Sequence, residues 1–345
     1  MRVTRIGYAL GVAAAVAVFA GCSGNGSSLG SVAQSPSMGG QSIVRNHPAS
    51  VIPSRFLKAF PNGNYQVTGH NWQSVKPDVN TTYVIGCQFF SGVCNMYKQN
   101  HNTVVGQIFA TYPNDICVDA AGNVYIPEGT ANNINVYPHG STTVSRTLSG
   151  DGLQPSTCAV GSDGTVYVGD IVGAQVQVYA PASNTPTSFL SEPNAVSGDV
   201  GGVSIDEHKN LAVTFSGPSA GAGVDVYTHA HQAGRHLLVN TSSVSGVTWD
   251  KQENAVITDL GISSWEVFNG SVCNTQSVGN SGDAVFSALN KPNTRIISGD
   301  FLNSELTQQS YAFCTGGGTI QKEYTSGFIA GDDVEGVVLS PGQTN

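Results

Sequence analysis

Three groups of side chains have types and spacing that could do chemistry. The first is a recurring set of acids. Asp115, Asp199, Asp283, Asp333 and Glu335 each stand just before or at the start of a short apolar run, and Glu128, Asp170, Asp259 and Asp300 end the runs that follow. Carboxylates brought together could hold a hard cation such as Ca²⁺, which takes six to eight oxygen ligands. Their plainer role is to satisfy strand-end amides and turns, as Asx residues often do, and the sequence favours it. The second group is His229-Ala230-His231, with His236 close by. Alternate residues of a strand share a face, so two imidazoles there could meet one metal. An exposed turn suits them better. The third group is the cysteines. Setting Cys22 aside, six remain: Cys87, Cys94, Cys117, Cys158, Cys273 and Cys314. An even number allows a disulfide set with 15 connectivities. Cys87 and Cys94 flank a short loop. Cys117 and Cys158 lie 41 residues apart, as do Cys273 and Cys314. Each pair needs Cα atoms roughly 4.4–6.8 Å apart to bond. The alternative for Cys117 and Cys158 is a pair of buried thiols packing as small hydrophobes.

Other chemistry lacks its signature. The chain is read as having no Gly-x-Ser-x-Gly elbow, no Ser-x-x-Lys in an apt setting, no His-Glu-x-x-His, no phosphate loop and no dinucleotide fingerprint. No Cys-x-x-Cys supports a zinc ribbon or a redox pair. Trp72, Trp249 and Trp265 could stack on sugars, but large aromatics are usually core. The formal charge is −9, only 11% of residues are charged, and no Lys/Arg cluster occurs. A nucleic-acid partner is therefore not expected.

What must position these residues is a repeat. Residues 115–126 read Asp-Ile-Cys-Val-Asp-Ala-Ala-Gly-Asn-Val-Tyr-Ile, and residues 157–168 read Thr-Cys-Ala-Val-Gly-Ser-Asp-Gly-Thr-Val-Tyr-Val. Each is an apolar strand, a polar turn and a second apolar strand. Looser copies follow from Gly202, Gly246 and Ala284. The second strands begin near Thr81, Asn123, Thr165, Asn210, Asn254 and Thr294, at spacings of 42, 42, 45, 44 and 40. That is the period of a four-stranded propeller blade. Third strands end in aromatics, as in Asn135-Val136-Tyr137, Val176 to Tyr179, Val224 to Tyr227 and Trp265 to Phe268. A bulky side chain there can fill the gap between wedge-shaped sheets. The first copy lacks an inner strand, and the C-terminus supplies one spare, Gly336-Val337-Val338-Leu339-Ser340. Ring closure would join the two and remove exposed sheet edges. The expected fold is all-β: a six-bladed β-propeller over 81–342, closed by the C-terminal strand completing the first blade. Acids at the strand starts would then approach the mouth of a central channel.

Asp119-Ala120-Ala121-Gly122-Asn123-Val124-Tyr125-Ile126, followed by Asn132-Asn133-Ile134-Asn135-Val136-Tyr137, resembles an NHL repeat, with Ile134 where that family has Arg. Asp163-Gly164-Thr165-Val166-Tyr167-Val168-Gly169-Asp170 matches its first half. The resemblance implies a propeller of the NHL or gluconolactonase-like (SMP-30) sort. For the latter it implies a metal held by Glu, Asn and Asp, a set that does not align onto this chain.

The N-terminus carries an address. Arg2 and Arg5 precede an apolar run from Ala9 to Ala20, the pattern of a signal peptide over 1–21. Phe19-Ala20-Gly21-Cys22 resembles a bacterial lipobox, which implies cleavage before Cys22 and a lipid on its thiol. Cleavage takes away two arginines and no acid, so the charge moves from −9 to −11. Residues 22–50 are rich in Ser, Gly, Gln and Pro and form a tether, and 51–80 lead into the ring. The expected protein is anchored to the membrane in a bacterial envelope. It would be an extracytoplasmic module that binds a protein, glycan or small ligand. The alternative is a metal-dependent, lactonase-like hydrolase with its site at the channel mouth.

Overall fold

The computed structural model describes residues 57–59, 65–67 and 80–340. Within the last span 151–153, 172, 193–198, 218–220, 232–234, 238–243, 260–263, 269–271, 278–283, 301–302, 312–318 and 330–331 are outside the description. The signal, the tether, Cys22, Trp72, Asp283 and Cys314 therefore lie outside the described residues. In the lead-in, β1 (Leu57–Ala59) and β2 (Tyr65–Val67) pair as an antiparallel hairpin within a unit that ends at Asn71.

From Trp72 onward the chain is a second unit made of antiparallel sheets. Sheet one begins with β3 (Tyr83–Gln88), β4 (Val93–Lys98) and β5 (Val104–Phe109). Sheet two is β6 (Cys117–Val118), β7 (Val124–Glu128), β8 (Asn133–Tyr137) and β9 (Arg146–Ser149). Sheet three is β10 (Pro155–Val160), β11 (Val166–Asp170), β12 (Gln175–Tyr179) and β13 (Ser188–Ser191). Sheet four is β14 (Asp199–Ile205), β15 (Leu211–Gly217), β16 (Gly221–Tyr227) and β17 (Arg235–Leu237). Sheet five is β18 (Val244–Trp249), β19 (Ala255–Asp259), β20 (Ser264–Phe268) and β21 (Val272–Ser277). Sheet six is β22 (Ala284–Leu289), β23 (Arg295–Asp300), β24 (Glu305–Ser310) and β25 (Ile320–Tyr324). The last strand, β26 (Val334–Ser340), returns to pair with β3, with Ser340 opposite Tyr83 and Val338 opposite Ile85. The inner strands β26, β6, β10, β14, β18 and β22 touch one another in that cyclic order. The chain is an all-β propeller.

The core lies between sheets. One cluster joins Tyr167, Val176 and Val200 to Phe215 across sheets three and four, and another joins Tyr83, Ile85 and Met96 to Ile126 and Tyr137 across sheets one and two. Both faces of β3, β7 and β11 are therefore covered, and every residue of these strands is buried. Strands covered on both faces read as continuous apolar runs, not as alternation. Each large side chain buried there contributes about 1.5–3 kcal/mol. Of the third-strand aromatics, Tyr137, Tyr179 and Tyr227 fill the wedge, and the side chain of Phe268 is outside the description. The Tyr179 hydroxyl lies 3.0 Å from the Ser149 carbonyl oxygen of the preceding sheet, and that of Tyr227 lies 3.0 Å from the Ser191 carbonyl oxygen.

Close approach of the sheets restricts some positions to glycine. A Cβ on Gly299 would stand 2.3 Å from the Val334 carbonyl oxygen of the next sheet. The inner hairpins rely on Asp-to-Asn clamps. Asp206 accepts from the backbone N–H and the side-chain amide of Asn210, both at 2.7 Å, and Asp119 and Asp250 hold Asn123 and Asn254 in the same way. Gly122 in the first of these turns has φ +85°, a conformation that glycine adopts without strain.

One local expectation changes. The inner strand near Asp115 is only Cys117–Val118, because the Asp115 N–H turns to the Ser156 carbonyl of sheet three instead of pairing with β7. The outer strand of sheet two is short, Arg146–Ser149. The segment around His229 is a turn, as its sequence suits better than a strand: a single 3-10 turn, Thr228–Ala230. His229 and Ala230 both have positive φ there, so their side chains do not alternate across a sheet.

Candidate functional site

In each sheet the inner strand starts on one face of the ring and turns into the second strand on the other. We term these the mouth face and the hairpin face. The mouth face also carries the ends of the second strands and the turns into the third.

The axial channel is narrow, about 120 Å³, and its wall draws on all six inner strands. Val118, Val160, Ile205, Leu289 and Leu339 are among its lining, with Ser204, Thr248 and Ser287 as polar members. Asp115 is its one charged side chain. The carboxyl accepts from Thr157 Oγ1 at 2.7 Å and from the Ile116 N–H at 2.8 Å, and Thr157 Oγ1 in turn accepts from the Val203 N–H at 3.1 Å. Burial pushes its pKa up to about 7, with these hydrogen bonds opposing the rise. Asp115 thus holds a proton up to neutral pH inside a three-sheet hydrogen-bond chain.

The other expected acids are spread out. Asp333 and Glu335 are half-buried at the start of β26. Asp199 begins β14 and Asp259 ends β19, but their side chains are outside the description, as is all of Asp283. Glu128 accepts from Asn135 Nδ2 at 2.8 Å, Asp170 from the Gln154 N–H at 3.2 Å, and Asp300 from the Asn303 N–H at 2.9 Å. Burial raises the pKa of Glu128. It also raises that of Glu305, helped by Glu323 and Asp300. Among the described residues none of these acids belongs to a group of three possible metal ligands. The group that does form is Asp206, His208 and Glu253, on the hairpin face.

Sequence reasoning missed a half-buried aromatic group on the mouth face. The rings of Phe89 and Phe90 meet edge to face at 4.9 Å, and Phe89 meets Tyr112 at 5.4 Å. Asp332 pins that loop by accepting from the N–H groups of Phe90 and Ser91 at 3.0 and 2.8 Å. Phe89-Phe90 in a polar turn was the available signal. Contrary to expectation the sequence does hold one Gly-x-Ser-x-Gly string, Gly217-Pro218-Ser219-Ala220-Gly221. Gly217 pairs with Gly221 across a strand-to-strand hairpin, whereas a nucleophile elbow joins a strand to a helix.

Among the described residues there are two disulfides. Cys87 bonds Cys94, its cross-strand partner, and Cys117 bonds Cys158 between sheets two and three with Cα atoms 5.5 Å apart. Cys273 lies in β21 with its side chain outside the description. His229 and His231 are exposed in their turn. Trp249 is core, its Nε1 donating to the Ser204 carbonyl at 3.2 Å, and the side chain of Trp265 is outside the description.

Charge is divided between the faces. The Lys and Arg described in the ring are Lys98, Arg146, Lys209, Arg235, Lys251, Lys291, Arg295 and Lys322. Lys209, Lys251 and Lys291 sit in inner hairpins, Arg295 opens a second strand, Lys98 closes a third, and Arg146, Arg235 and Lys322 lie on outer strands. Among the described residues, no Lys or Arg lies at the start of an inner strand, at the end of a second strand or in the turn that follows.

No family model and no curated protein matches the sequence. Solved structures do. A chain from a nidogen/laminin complex aligns with a TM-score of 0.61 at 14% identity, covering 76% of this chain and 99% of its own. A chain from a mitotic checkpoint complex aligns at 0.51 and 14% identity, covering 74% and 81%. At that identity the likeness concerns the propeller fold alone.

Proposed function

We propose that the chain is a lipid-anchored extracytoplasmic binding module. It is a six-bladed propeller of NHL type, each four-stranded sheet being one blade, held to a bacterial envelope through Cys22. Its mouth face engages a basic segment of a partner protein. The observation that carries this reading is the charge division: carboxyl groups ring the mouth and described cations avoid it. Such a face steers a cationic partner by long-range attraction. Phe89, Phe90 and Tyr112 offer the aromatic anchors that interfaces favour. The disulfides suit an oxidising compartment, and both structural neighbours were solved in protein complexes. The lactonase-like alternative needs several acid or amide side chains converging at the mouth, and the described channel wall offers one.

Two measurements test the reading. Replacing Cys22 by Ser should move the protein from the membrane to the soluble fraction, and a chain that stays with the membrane contradicts the anchor. The purified mature protein should bind a Lys/Arg-rich 12-residue peptide and not a Glu-rich one. Binding should weaken with salt and with Asp333→Asn plus Glu335→Gln, and tighten as pH rises through about 7 and Asp115 ionises. Equal binding of both peptides overturns the mouth-face reading, and turnover of a simple lactone by the same preparation supports the hydrolase.

A further inference from the structure

The hairpin face holds a cluster that the mouth-face reading leaves unused. We propose that Asp206, His208 and Glu253 form a divalent transition-metal site that clasps sheets four and five.

The two sheets present their ligands from adjacent inner hairpins. Asp206 and His208 lie between β14 and β15, and Glu253 lies between β18 and β19. One ligand atom from each falls within 4.8 Å of the other two, and His208 Nδ1 already stands 2.8 Å from Glu253 Oε1. Bonds of about 2.0–2.2 Å to one ion need only small side-chain moves from there. Asp206 is the fixed member: 3% exposed and held by both hydrogen bonds from Asn210. Those bonds leave its carboxylate lone pairs to donate and set its orientation, as outer-shell partners of metal ligands do. His208 and Glu253 are about half exposed, so an ion reaches the site directly from solvent.

Comparison with the other seams separates this cluster from an ordinary surface contact. Between sheets three and four Asp163 takes the Lys209 ammonium at 2.7 Å. Between sheets five and six the Lys251 N–H donates to Asn293 Oδ1 at 2.6 Å. At the seam between four and five, two carboxylates face an imidazole, so a neutral His208 leaves two negative charges with no cation in the group. The clamp residues Asp119 and Asp250 are followed two positions later by Ala121 and Gln252, and only Asp206 is followed there by a histidine. One imidazole and two carboxylates, with positions open to water, suit Zn²⁺ or Co²⁺. Ca²⁺ prefers an all-oxygen shell with more ligands.

The test uses the purified mature protein after chelator treatment. Micromolar Zn²⁺ should raise its melting temperature by several degrees, and Co²⁺ should give a visible absorption band. Ca²⁺ should do neither at the same concentration. His208→Ala and Glu253→Gln change exposed side chains, and both variants should fold with the parent melting temperature in chelator yet lose the Zn²⁺ shift and the Co²⁺ band. No shift in the parent protein overturns the proposal. So does a shift that survives in both variants, which would place the metal elsewhere, for example on His229 and His231.

Discussion

At the residue scale, Asp115 shows how one side chain can carry the channel's electrostatics. Its environment keeps it protonated up to about pH 7, while in the unfolded chain it ionises near 3.8. Between those values the folded state holds a proton that the unfolded state has lost, so stability falls as pH rises through the window. At 1.36 kcal/mol per unit the loss is at most about 4 kcal/mol. Asp115→Asn keeps the shape without the titration. We expect its melting temperature to exceed the parent's at pH 8 and to converge with it below pH 4, and identical pH profiles would contradict this. Asp163 behaves oppositely. The hydrogen bond from Lys209 lowers its pKa to about 2, giving stability that is present above the unfolded value and lost as pH falls. Both partners are well exposed, so Lys209→Met should cost less than about 1 kcal/mol by denaturant unfolding.

At the element scale, the seams between sheets are the sensitive places. Tyr227 ends β16 and donates its hydroxyl to Glu192 Oε2 at 2.6 Å, and Glu192 is 2% exposed. Tyr227→Phe keeps the ring but removes that donor from a buried carboxylate. It should cost about 1–3 kcal/mol in urea unfolding, and a change under a few tenths would show the hydroxyl to be idle. Gly299 presents a harder limit. Gly299→Ala sets a methyl against backbone, which cannot rotate away, so sheets six and one must separate. A loss of at least about 1–3 kcal/mol is expected, seen as a lower midpoint. The sequence displayed the aromatic at each third-strand end, and its wedge role followed from the period. It did not display the hydroxyl partners, because Ser149, Ser191 and Glu192 belong to other repeats and meet the tyrosines only through the curvature of the ring.

At the scale of the whole molecule, closure is the decisive feature. β26 pairs with β3 across about 250 residues of chain and supplies one wall of the channel. A chain ending before Val334 leaves Tyr83, Val84 and Ile85 on an open edge, and unpaired edges aggregate. We expect it to form soluble aggregates or inclusion bodies, and a monomer with the parent's melting temperature would show that closure is dispensable. The same closure creates the two faces. Because all inner strands run in one direction about the axis, residues at equivalent repeat positions share a face, and a bias in where Lys and Arg occur becomes a polarity of the molecule.

Repeat period, strand order, ring closure and two of the cysteine pairings were legible in the sequence, because blades are local units and equivalent positions in neighbouring blades come close by construction. Cys117 and Cys158, 41 residues apart, are the clearest instance. The acids were legible as positions but not as a site: whether Asp115 meets Thr157 or Asp333 depends on ring radius and sheet twist, which no spacing encodes. The tertiary structure alone decided that the channel is narrow, that Asp115 is buried enough to keep its proton, and that His208 faces Glu253 across a seam. Each depends on distances between side chains of different sheets, fixed by packing and not by chain order.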